Sequence, residues 1–141
     1  MDGVKQKIID KMNESLGYEL RAINMYAHYA ANVKGIHRIH LSQLFNTEIT
    51  ESLEHSNIVR AAIVKLGGIC VTERNSEDIL HTENYTVMIE QALKTEMRAS
   101  EIYSELLEMV EELDDRELYD SLESIYFTEL RSVEEMRMLL E

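Results

Sequence analysis

The stretch EITESLEHSNIV, residues 48–59, lies between Leu41 and Phe45 on one side and Val59, Ala62 and Leu66 on the other. These apolar residues recur at three- and four-residue steps, the spacing of one face of an α-helix. The centre of that face holds Glu48, Ser52 and His55 instead of aliphatic side chains. Polar groups inside a core are costly unless they find partners there. The partners must come from other helices, and the same interrupted pattern recurs three more times. Ile8, Met12, Leu16, Ile23, Tyr26, Ala30 and Val33 form a first stripe, with Glu19 in its gap. Tyr85, Ile89, Ala92, Ala99, Tyr103, Leu106, Val110 and Leu113 form a third, broken by Glu96. Leu118, Leu122, Ile125, Met136 and Leu139 form a fourth, broken by Glu129 and Ser132. Four such stripes predict an all-α, four-helix bundle with shallow crossing angles.

The composition agrees. A chain of 141 residues without proline and with five glycines has little to break long helices. It is expected to form one domain over residues 1–141. A net charge of -13 argues against nucleic acid as a partner, which selects a basic surface. No 18-residue apolar run points to a membrane, and MDGVKQKIIDKM has no leader-type apolar core. The single cysteine, Cys70, has no internal disulfide partner. Together these features predict a cytoplasmic protein.

Turn signals set the topology. Asp2 is expected to cap the first helix and Gly35 to end it, while Gly67 and Gly68 close the second. Thr82 is expected to cap the third helix, and Asp114–Asp115 to form the last turn. The 16 residues from Gly67 to Thr82 far exceed a tight turn. They reach about 53 Å when extended, against about 45 Å for a 30-residue helix. This connector can therefore cross the bundle end to end and set helices two and three parallel.

The interruptions are periodic. Glu19 to Ser52 spans 33 positions, as does Glu96 to Glu129, and the set 19, 52, 55 recurs as 96, 129, 132 after 77 positions. A two-metal carboxylate site needs a Glu from each of two helices and Glu-x-x-His from each of the other two. Glu19, His55, Glu96 and Glu129 fill four of those six places, whereas Ser52 stands for a bridging Glu and Ser132 for a His. No Arg or Lys shares the stripe to balance the buried acids, so a divalent cation is the expected partner. Carboxylate and imidazole donors suit Fe(II), and also Zn(II) or Mn(II). Glu48 and Glu51 stand near enough in sequence to replace part of the missing carboxylate. Tyr26 and Tyr103 read as core residues with satisfied hydroxyls.

The segment LGYELRAINMYAHYAANVKG resembles the opening helix of bacterioferritins, and ESLEHSNIVRAAIVKLGGI resembles the second helix of ferritin-like proteins. The likeness runs over nearly the whole chain. It implies a ferritin-like bundle with a long crossover between helices two and three, binding and storing iron with ferroxidase-type oxidation. It places Glu19, His55, Glu96 and Glu129 at iron-ligand positions, with no catalytic residues beyond the ligands. Ser52 and Ser132 imply one tight ion on Glu19, His55 and Glu129 and a weak second position at Glu96. Leu53 stands where the haem methionine would fall, so no haem is expected. The spacing of His28 and His40 is similar to that of inter-subunit sites in small cages, but Asn57 and Ala61 lack the acids those sites need. By the same resemblance, no short fifth helix of the kind found in larger cages is expected. Leu20, Ala27, Ile49, Leu53 and Ile63 form a further apolar face, which predicts a homo-oligomer, at least a two-fold dimer. The contrasting function class is a non-enzymatic oligomeric bundle with one structural ion or none.

Overall fold

Uninterrupted helical periodicity becomes four long helices in the computed structural model, which describes residues 2–141: α1 (Asp2–Asn32), α2 (Arg38–Lys65), α3 (Tyr85–Val110) and α4 (Arg116–Leu140). The Asp2 side chain, expected as the first cap, lies outside the described residues. Gly35 and Gly67 adopt left-handed backbone, φ +96° and +85°, where a side chain would be strained. Asp114 takes the same region at φ 52° after a short 3₁₀ turn, and the Asp115 carboxylate caps α4 by accepting from the Leu118 N–H at 3.1 Å.

The cap of α3 differs from expectation. Asn84, not Thr82, accepts from the Thr86 and Val87 N–H groups, at 2.9 and 3.2 Å. Thr82 sits two residues earlier and accepts from the Asn84 N–H. Asparagine competes well for this role because its carbonyl reaches the free N–H groups without strain.

The connector climbs α1 in register. Asn13 bonds the carbonyl of Ile69 and the N–H of Val71, the Gly17 carbonyl accepts from Asn75, and Tyr29 donates to the Leu80 carbonyl. Lys34 pairs with Glu83 near the far end. Chain direction follows from this path: α2 and α3 start at the same end and run parallel, each antiparallel to α1. Arg21, only 3% exposed, pins the strap at its middle by donating to the carbonyls of Glu77 and Asp78 and to Thr95 Oγ1 on α3.

Two apolar cores fill the bundle. One gathers Ile8, Met12, Leu16, Ile63, Leu106 and Leu122; the other Met25, Tyr26, Phe45, Met88, Ala92 and Met136. The interrupted positions of all four helices lie between them. Three expectations at the periphery fail. Leu139, in the last turn of α4, is 48% exposed, and Tyr85, the first residue of α3, is 40% exposed and meets His37 edge-on. Each lies in a terminal turn of its helix. Ile63, expected to await another subunit, is fully buried against the chain's own core, where it also packs on Gly68.

Candidate metal centre

Each helix delivers its polar residue to one buried layer. On α1, Glu19 lies one turn above Leu16, and on α2, His55 lies one turn before Val59; both neighbours are fully buried and fix the faces inward. Glu96, Glu129, Ser52 and Ser132 are buried as well. His55 Nδ1 lies 3.1 Å from Glu19 Oε2 and 3.0 Å from Glu129 Oε1. One donor atom from each of these three residues falls within 4.8 Å of the others. Glu96 is buried among Glu129 and Glu19, whose charges act on it, but stands outside that tight trio.

The second layer of contacts follows the sequence repeat. Tyr26 donates to Glu96 Oε1 at 2.6 Å, and Tyr103 donates to Glu19 Oε2 at 3.3 Å. The two tyrosines are 77 positions apart, so each half of the chain supplies a hydroxyl to the other half's glutamate. Sequence reasoning placed both rings in the core and missed their partners, although the repeat carried the signal. Glu48, expected with Glu51 to replace part of the missing carboxylate, is buried and accepts from Ser132 Oγ at 3.2 Å on either carboxylate oxygen. Glu51 is half-buried. His28 meets His81 of the connector at 2.8 Å.

Burial without cationic partners dominates the electrostatics. Burial pushes the Glu19 carboxyl up, opposed by hydrogen bonds from His55 and Tyr103. Burial and then the Glu129 charge hold Glu96 well above the usual carboxylate range; burial and then Glu19 do the same for Glu129. Glu48 is pushed up to about 8 by burial and by Glu96. Burial alone would lower His55, but the hydrogen bond and charge of Glu19 outweigh it and raise it. Among the described residues, no Lys or Arg pairs with any of these four glutamates; only the His55 ring does. Carboxylates converging on an imidazole in a dry layer are a donor set that a divalent ion would neutralise.

A family model for the ferritin-like domain matches residues 9–141. The chain belongs to the ferritin-like family. A ferritin-like, diiron-carboxylate protein from Bacillus anthracis str. Ames is 31% identical, with full coverage of both chains and a TM-score of 0.95. Desulfovibrio desulfuricans bacterioferritin is 20% identical over 98% of this chain and 80% of its own, with a TM-score of 0.88. A dodecameric thioferritin from Bacteroides fragilis is 21% identical over 96% of this chain and 85% of its own, also at 0.88. These last two likenesses show the fold alone. No match is found among the curated proteins. No helix of this ferritin-like chain is long and apolar enough to cross a membrane.

Proposed function

We propose that this ferritin-like protein binds Fe(II) at Glu19, His55 and Glu129 and oxidises it for storage. The observation that carries the reading is the buried trio of donors within 4.8 Å, assembled from three helices with no Lys or Arg paired to it among the described residues. The diiron-carboxylate relative at 31% identity supports iron over the Zn(II) or Mn(II) that the same donors accept. Iron is the substrate here. Each Fe(II) gives one electron to dioxygen or peroxide and becomes Fe(III); with peroxide, two Fe(II) and two protons yield two Fe(III) and two waters. The carboxylates favour the more highly charged product, because oxygen donors stabilise the harder ion. His55 orients on Glu19 and Glu129 before any ion arrives, so the first position is largely preorganised.

The protein acts as a homo-oligomer in the cytoplasm on this reading. Exposed apolar residues on α2 such as Leu53 support assembly. Metal analysis of protein purified without chelator, with an aerobic Fe(II) oxidation assay, tests the reading. Wild type should carry iron and oxidise Fe(II), whereas His55→Ala and Glu129→Gln should lose tight binding and most of the rate. Wild-type protein that binds no divalent ion would leave a helical bundle whose imidazole–carboxylate trio serves structure alone.

A further inference from the structure

We infer that His28 and His81 form a proton-operated latch that holds residues 79–83 of the connector on α1 near neutral pH and releases them in acid. His28 Nε2 lies 2.8 Å from His81 Nδ1, and the ring centroids are 5.1 Å apart with the planes at 72°. The rings therefore meet nitrogen to nitrogen, not face to face, and share one N–H···N hydrogen bond. Asn32 Nδ2 approaches His28 Nδ1 at 3.4 Å, which assigns the His28 proton to Nε2, facing the connector. Such a bond needs a donor on one ring and a lone pair on the other. A first added proton preserves it, because an imidazolium still donates to a neutral ring. A second makes both nitrogens donors and both rings cationic, so the bond is lost and the rings repel. Imidazole is the side chain that changes charge between about pH 5 and 8. The released state binds the extra proton, so falling pH favours release.

Few other ties hold this segment. It runs from the Asp78 carbonyl, fixed by Arg21, to Asn84, the cap of α3. Between them Tyr29 donates to the Leu80 carbonyl at 2.8 Å, and Ile79 packs against the second apolar core. Lys34 and Glu83 form an ion pair whose side chains are 69% and 64% exposed, which contributes little in water. The charges around the imidazoles are engaged elsewhere. Arg21 bonds connector carbonyls, and the Glu77 carboxylate accepts from Tyr18 and faces Lys94 of α3. Arg38 of α2 donates to the Ala31 and Val33 carbonyls, and His37 packs against Tyr85. Asp78, three residues before His81, is exposed and bonds neither ring.

The test uses a fluorescent reporter, since the chain has no tryptophan of its own. In an Ile79→Trp variant, acrylamide quenching should rise roughly threefold from about pH 7.5 to about pH 5, with helical circular dichroism unchanged. Adding His81→Gln, neutral at both pH values, should abolish the rise. His28→Lys together with His81→Lys should give the released value at both. In the wild-type chain, glutamyl-specific proteolysis at Glu83, scaled to an unfolded peptide of the same sequence, should quicken in acid in the same way. The direction separates the latch from the buried carboxylates, whose protonation makes the bundle more stable as pH falls. Quenching and cleavage that do not change with pH, or a rise that survives His81→Gln, would overturn the inference.

Discussion

At the scale of single residues, the buried layer is a store of unfavourable charge, and this makes stability depend on pH in a defined direction. Glu19, Glu48, Glu96 and Glu129 all hold their protons more tightly folded than at the ordinary carboxylate value of 4.5, Glu48 up to about 8. The native state therefore binds more protons than the unfolded chain across this window, and stability falls as pH rises. The slope is about 1.4 kcal/mol per pH unit for each proton that only the native state retains. Metal-free protein should lose melting temperature steadily from pH 5 to roughly pH 8, and saturating Mn(II) should flatten that decline; thermal scans with and without the ion check it. Glu96→Gln removes one buried charge while keeping an acceptor for Tyr26. It should raise the metal-free stability by about 1–3 kcal/mol and weaken metal binding, which paired melting and titration experiments would show. Glu19, His55, Glu96 and Glu129 were legible in the sequence because each breaks an apolar stripe at a repeated interval. Glu48 was legible as a stand-in for part of the missing carboxylate, but its hydrogen bond from Ser132 was hidden, because that partner lies on a distant helix.

Elements were more readable than their fastenings. Helical periodicity and the absence of proline exposed four helices, and the connector's length exposed the crossover, because reach is a property of chain length alone. How the crossover is tied down was not legible. Arg21 is on no core stripe, yet it is buried with three hydrogen bonds to the connector and α3. Arg21→Met should cost roughly 2–4 kcal/mol by stranding those acceptors. Hydrogen exchange should then quicken over residues 75–81 while the first metal position keeps its affinity. A change in exchange spread evenly over all four helices would instead make Arg21 a general core residue. Gly68 is a second fastening: a Cβ there would lie 2.7 Å from Ile9 Cγ2 and 3.0 Å from Ile63 Cγ2. Gly68→Ala should destabilise by about 1–2 kcal/mol through overpacking, measured by chemical denaturation.

The whole molecule presents a divided surface. The connector covers one flank of α1, which explains why Tyr18 and Tyr29 are buried beyond the core stripe without another subunit. Along α2, Leu53 at 50% and Ile58 at 39% exposure remain uncovered. Light scattering should show at least a dimer at micromolar concentration, and Leu53→Asp should shift it toward monomer without altering the circular dichroism. The apolar excess of the first two helices was evident from sequence. The share of it claimed by the connector was not, because an irregular segment carries no periodicity to announce its path.

The 77-residue repeat also has a kinetic consequence. The donors of the first position come from α1 and α2 in one helical hairpin and from α4 in the other, with His55 and Glu129 separated by 74 positions. Neither hairpin alone offers all three, so an ion gains its full ligand set only after the hairpins have docked. If docking follows the rate-limiting barrier, the ion stabilises the native side of that barrier and little before it. Stopped-flow refolding should then run at the same rate with or without Mn(II), while unfolding slows roughly in proportion to the added stability. A refolding rate that climbs with the ion would place docking inside the transition state.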